Sequence, residues 1–302
     1  MDLRIQRLLA KQVYIGTSSW KYEGWKDLLY KEKYTSIKQF NDTCLHEYGH
    51  YYPTVGVDHT FYTWPTVPLF AKYMEQTPEY FRFGMKATEK LTIWQYPKHR
   101  RYGKEAGTKN DHFLDAGLFR EKFLEPLRPY REKIGPIMLE FAQFFPGTIS
   151  SGSEFTERLD KFFKGLKGET DFQFAVEIRN KNWLKTPYFQ MLVDNGASHV
   201  FNSWTRMPQI VEQLAMTENI SFPMLVSRVL LNPGTTYADA VEAFSPYDRI
   251  QAEQPEVRKA VALLILRAIR MGIPAYVFVN NRCEGSAPQT ISGIINQLEK
   301  DV

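Results

Sequence analysis

Glu177 and Arg179 stand two residues apart in Phe174-Ala175-Val176-Glu177-Ile178-Arg179, a run whose other members are apolar. Side chains alternate across a strand, so both fall on one face with Ala175, opposite Phe174, Val176 and Ile178. A carboxylate and a guanidinium on an inward face are costly to desolvate unless they pair or meet a ligand. Counting by twos along the other apolar runs puts Ser18, Asp58, Lys86, Glu140, Arg228 and Asn280 in the equivalent place. The chemistry open to such a ring is acid/base catalysis on an anion. Glu177 is the proton carrier, Lys86 an electrophile or second proton carrier, Glu140 and Asp58 further catalytic candidates, and Arg179 the clamp. The plainer alternative is an ion-pair network that plugs the interior. Desolvation can exceed the Coulomb gain in such a network, so keeping many ionisable groups in one layer argues for function.

Eight short apolar runs must position these residues. Strands are expected at 13–20, 54–62, 81–87, 136–141, 174–178, 198–202, 223–229 and 274–281. Helices are expected at 37–50, 68–76, 113–133, 153–167, 186–195, 208–217, 257–271 and 289–298, with a long excursion over 231–256. Thr186-Pro187 reads as the cap and first residue of its helix. Runs apolar on both faces, alternating with helices, predict a (β/α)8 TIM barrel in the α/β class, one domain over 1–302. No GxGxxG follows the first strand, which counts against a dinucleotide-binding sheet. In a TIM barrel the chemistry sits at the carboxyl ends of the strands, where the polar ring falls.

Trp20, Trp25, Tyr62 and Trp183 lie just past strand ends. They wall a ligand pocket or simply pack loops on helices. The segment 96–111 carries Lys98, His99, Arg100, Arg101, Lys104 and Lys109. It reads as a solvated loop or as a lid over an anion. The turn Asn281-Arg282-Cys283-Glu284-Gly285-Ser286 precedes the last helix, with Ser286 as its expected cap. Loops after the seventh and eighth strands are the usual phosphate site of this fold, so Arg228, Asn280, Asn281 and Ser286 are expected to bind the anion there.

Composition narrows the classes. The formal charge of +4 over 302 residues permits an anionic small ligand but is mild for a dedicated nucleic-acid binder. Cys44 and Cys283 are too few and too isolated for a disulfide framework, and no CxxC occurs. No apolar run reaches membrane-spanning length, and residues 1–11 lack the apolar core of a signal peptide. A cytoplasmic protein without a membrane partner is the expectation; oligomeric state is not legible.

Longer blocks carry a resemblance. They are Ile15-Gly16-Thr17-Ser18 with Trp20, Tyr22, Trp25 and Tyr30; Val55, Thr60-Phe61-Tyr62 and Pro65; Phe83, Lys86 and Thr92; Ala175-Val176-Glu177-Ile178-Arg179 with Trp183; and Asn280-Asn281, Gly285 and Ala287. In these the chain resembles the YecE-like family, domain of unknown function seventy-two. The resemblance implies a TIM barrel and no particular reaction. The chain departs from the family pattern at Gly56 (usually Glu), Asp58-His59 (usually Asn-Ser), Glu140 (usually Gln) and Ile93 (usually His). The resemblance therefore implies no fixed role for Asp58, His59 or Glu140, whereas Glu177, Arg179, Lys86 and Asn280 keep the pattern.

The reading is an enzyme acting on a small anionic substrate, such as a phosphorylated sugar, with no cofactor. One alternative is a metal-dependent hydrolase or isomerase using Asp58, His59, Glu140 and Glu177. His59 has the wrong parity for that, no HxH or HExxH occurs, and Lys86 and Arg179 crowd a cation. The other alternative is a non-catalytic module for a small ligand or nucleic acid. The absence of ligand spacing sets a first prediction: elemental analysis of the purified protein finds no stoichiometric zinc or manganese. A stoichiometric metal lost with Asp58→Ala or Glu140→Ala would overturn it.

Overall fold

A computed structural model describes residues 1–145, 147–231 and 234–300, with the backbone alone at Tyr237. A short helix, α1 (Leu3–Leu9), comes first; Asp2 caps it by accepting a hydrogen bond from the Arg4 amide at 2.8 Å. Then come β1 (Val13–Thr17), α2 (Ile37–Gly49), β2 (Thr54–Val57), α3 (Val67–Gln76), β3 (Arg82–Lys86) and the single turn α4 (Glu89–Thr92). Next are α5 (Ala116–Phe119), α6 (Glu125–Leu127), β4 (Ile134–Glu140), α7 (Gly152–Gly165), β5 (Gln173–Glu177), α8 (Thr186–Asp194), β6 (Ser198–Asn202) and α9 (Ile210–Met216). The chain closes with β7 (Leu225–Val229), α10 (Tyr237–Phe244), α11 (Pro255–Met271), β8 (Ala275–Val279) and α12 (Ala287–Lys300). The eight strands form a closed parallel barrel in sequence order, β8 pairing with β1. This is the (β/α)8 barrel that the alternation predicts.

Two expectations need correction. The stretch 113–133 is not one helix. A π turn (Arg120–Leu124) separates α5 from α6, and a 3-10 turn (Arg128–Lys133) follows. Pro126 and Pro129 each lack the amide that a continuous helix needs, so the regular ladder cannot run through them. Thr186 is not a cap: Lys185 takes that position, and Thr186 and Pro187 are the first two helical residues. The excursion over 231–256 contains a helix of its own, α10, only eight residues long.

Strand parity divides the apolar residues into two cores. Ile15, Val55, Val57, Phe83, Met85, Leu139 and Val176 face the helices in one large cluster. Met138, Ala175, Val200, Met224, Val226, Tyr276 and Phe278 form a separate cluster inside the barrel. Tyr14 stacks on Tyr276 there at 4.8 Å. Large and small side chains alternate so that the interior fills, as interiors at crystal-like density require. Phe278 occupies the space that a side chain at Gly84 would need: a Cβ there would lie 2.1 Å from the ring. The plug leaves the polar ends of the strands as the uppermost layer.

Gly84→Ala is therefore expected to lower stability by about 1–3 kcal/mol through overpacking, with Phe278→Leu in the same chain recovering part of the loss. Urea denaturation of the two single variants and the double variant measures both effects. Additive losses would show that the ring and the glycine are not coupled.

Candidate functional site

β4 and β5 pair so that Glu140 lies beside Glu177. Two carboxylates at one level repel unless cations lie between them. The backbone supplies two. Arg228, the fourth residue of β7, places Nη1 against both Glu140, at 2.5 Å, and Glu177. Arg179, two residues beyond Glu177 with the same parity, donates from Nη2 to Glu140 at 2.5 Å and to Glu177 at 3.3 Å. Lys86, at the end of β3, reaches Glu140 at 3.3 Å and Asp58 at 2.7 Å. The layer thus holds three carboxylates and three cations. Glu177 and Arg179 share a face and pair, as their spacing predicts.

Depth separates the members. The Glu177 side chain is fully buried, with both oxygens accepting from arginines; Asp58 is 41% exposed at the rim. Burial by itself would raise the pKa of Glu140, but Arg179, Lys86 and Arg228 overcome it and hold Glu140 well below the usual carboxylate range. Burial would likewise discharge Arg228, and Glu177 and Glu140 prevent it, so the guanidinium stays charged. Glu140 is consequently an ionised charge centre rather than a proton carrier near neutrality.

The other sequence candidates divide. The Ser18 hydroxyl is buried at the top of β1 without a hydrogen-bond partner. Asn280 turns its side-chain oxygen to the Arg282 amide and guanidinium, at 3.0 and 3.3 Å. Asn281, not Ser286, caps α12, accepting from the Ala287 amide at 2.8 Å, while the Ser286 hydroxyl is buried without a partner. Gly285 has φ +110°, and a Cβ there would meet the Arg249 carbonyl oxygen at 2.6 Å. The close approach that this glycine permits is made by the chain itself, and the Gln251 amide donates to Glu284 O at 2.7 Å. The expected phosphate cradle between β7 and α12 is a packed turn.

The aromatic residues split as well. Trp183 stacks on Phe144 and Phe155, each at 5.3 Å. Trp20 is buried edge-on to Tyr73, and Trp25 is fully buried. These three pack loops on helices. Tyr62 is exposed and lies under the Arg101 guanidinium at 5.3 Å. His59 packs near Phe70 and Tyr73, and burial lowers its pKa to about 4, helped by Lys21. Among the described residues no three His, Cys, Asp or Glu side chains converge as a metal would need.

The charged layer opens into a cavity of about 570 Å³. Glu140 and Arg179 reach it from below. Phe61, Trp94, Tyr96, Tyr102 and Phe144 form much of its wall, and Lys98 and Arg101 of the basic segment close its side. That segment is held in place rather than loose: the Tyr96 amide donates to Thr108 O at 2.9 Å, and the Lys109 ammonium lies 4.7 Å from the Trp94 ring. Two contributors escaped the sequence reading. Trp204, in the loop after β6, stacks on Arg179 at 3.8 Å; the rule that singled out aromatics past strand ends applies to it equally. Glu89, on α4, also lines the cavity; its helix is one turn long, too short for periodicity to reveal.

Removing one anion from this layer leaves three cations facing two carboxylates. Glu140→Gln is expected to cost about 3–5 kcal/mol at pH 7, measured by urea denaturation. The pH dependence has a definite sign. A depressed folded pKa stabilises above the unfolded value and loses that contribution as pH falls through the folded one. The variant is thus expected to lack part of the wild-type stability loss below about pH 4.5. An unchanged acid limb would show that Glu140 is not held ionised by folding.

Residues 14–302 match the family model described as protein of unknown function DUF72. The protein UPF0759 protein YunF of Bacillus subtilis (strain 168) is 26% identical over 180 residues. That alignment covers 59% of this chain and 54% of YunF, so the chain matches about half of that relative's length. Among solved structures, a DUF72 family protein of Enterococcus faecalis V583 superposes with a TM-score of 0.65 at 18% identity, covering 95% of each chain. One of Thermotoga maritima MSB8 gives a TM-score of 0.62 at 20% identity, covering 96% of this chain and 98% of that one. At these identities the structures support the fold alone.

Proposed function

We infer, from the premise that this chain belongs to the DUF72 family, that the cavity is an enzyme site for a small, oxygen-rich anion of the size of a phosphorylated sugar. One observation carries the reading: the floor of the cavity is an ion-pair layer, and its wall is aromatic with added lysine and arginine. A volume of about 570 Å³ lies within the roughly 300–1,000 Å³ of small-molecule sites. Fixed charges under aromatic walls suit electrostatic stabilisation of a polar reacting group.

The roles follow from depth. Arg179, braced by Trp204, is the clamp for the anionic group. Lys86, linked to Asp58 at the rim, is the electrophile or proton carrier. Glu140 balances the charge of the layer. Glu177 is a positioning residue, because its oxygens hold Arg179 and Arg228. Arg228, between the two glutamates, completes the same brace. The anion is assigned to the cavity rather than to the turn before α12, since Asn281 and Gly285 are engaged with the chain there.

Isothermal calorimetry with glycerol 3-phosphate tests this. Arg179→Met is expected to weaken binding at least about tenfold through the loss of charge-assisted bonds. Lys98→Ala, on the loop, weakens it about threefold without a change in melting temperature. The absence of binding by the wild-type protein, both to this probe and to inorganic sulfate, would sink the proposal. Binding of phosphorylated polyols that are never converted would make the protein a binding module instead.

A further inference from the structure

Glu89 stands apart from the ion-pair layer but faces the same cavity. It opens α4, directly after β3, and its side chain is only 9% exposed. Arg101 pairs with it at 2.6 Å and the Tyr102 hydroxyl donates to it at 3.0 Å, both from the basic segment. Lys90 is its charged neighbour on its own helix, and Tyr96 approaches from the loop. Lys98, Glu140 and Arg179 line the cavity with it. One turn further along α4, Thr92 lines the same cavity, and its hydroxyl is buried behind that wall without a hydrogen-bond partner. A buried hydroxyl left unpaired in a cavity wall is a group waiting for a ligand atom.

Building on the anion-site reading, we propose that Glu89 is a proton-exchanging residue of this cavity. In its acid form it gives its proton to an oxygen of the bound anionic polyol, and Thr92 hydrogen-bonds a neighbouring hydroxyl of that molecule. In the transfer the Glu89 O–H bond breaks and an O–H bond forms on the ligand oxygen. Glu89 gains one negative charge, which Arg101 and Tyr102 are placed to receive, and the proton is recovered from solvent. Burial raises the pKa of Glu89 against the pull of Arg101 and Tyr102, while Glu140 on the same cavity is driven the other way. Two carboxyl groups pushed apart in this manner take different roles, here a proton donor and a fixed charge.

The test uses inorganic sulfate, whose charge is fixed as pH rises from the ordinary carboxyl range to about 8, so that a change in its binding reports on the protein. Wild-type affinity is expected to fall about tenfold across that range as Glu89 deprotonates and repels the anion. Glu89→Gln is expected to lose that fall and to bind sulfate at high pH as the wild type does at low pH. Carboxyl-carbon NMR of the wild type should show Glu89 titrating above ordinary glutamates, and higher still in Arg101→Met. Sulfate binding with the same pH profile in wild type and Glu89→Gln would overturn this proposal and leave the anion site standing. No sulfate binding by the wild type, with none of glycerol 3-phosphate, would overturn both.

Discussion

The structure depends on how two carboxylates are kept side by side on neighbouring strands. Parallel pairing of β4 with β5 fixes Glu140 next to Glu177, and neither can move without breaking the ladder. Arg179 and Arg228 each touch both of them, closing a ring of charge. Such a ring is poor as a source of stability, since four ions must leave water to make it. It is effective as a source of rigidity, because any member that turns away gives up both of its partners and leaves each of them one contact short. The ring is therefore a fixed electrostatic surface, which is what a site needs to avoid reorganising during a reaction.

Below the ring, the barrel interior is built to hold it at one height. Phe278 presses into the space left by Gly84, and Tyr14 stacks on Tyr276. Above it, Trp204 lies flat on Arg179 and also packs against the cluster of Leu230, Leu231, Ala240 and Phe244. The guanidinium is thus gripped at its edge by carboxylates and at its face by an indole that is itself packed against the residues around α10.

Much of this was legible because strands have a strict period of two. Parity alone turns Lys86, Glu140, Glu177, Arg179 and Arg228 to the inward face, and their place at the ends of their strands puts them at one end of the barrel. The cavity was not legible in the same way. Its walls come from Trp94, Tyr102 and Phe144 in irregular segments, where no period relates residue number to direction. Pro126 and Pro129 broke a helix whose apolar pattern suggested continuity. The turn at Gly285 has the composition of an anion cradle, and only the packing of 249–251 against it shows that the chain takes that place. Local signals specify what a segment permits, whereas tertiary contacts decide what occupies it.

The equal numbers of positive and negative groups in the layer have a kinetic consequence for the proposed anion site. A neutral cluster of alternating charges produces a field that dies away within a few ångströms, so it does not draw an anion from bulk solution. Lys98, which lines the cavity, and its neighbours Arg100 and Lys104 are exposed charges on the adjoining basic segment. Encounter belongs to that segment and is weakened by added salt, since exposed charges are screened over about 8–10 Å. Residence belongs to the layer, where salt ions penetrate little. Under the proposed function, arrival and retention of the anion are governed by two different sets of side chains, and evolution can tune one without disturbing the other.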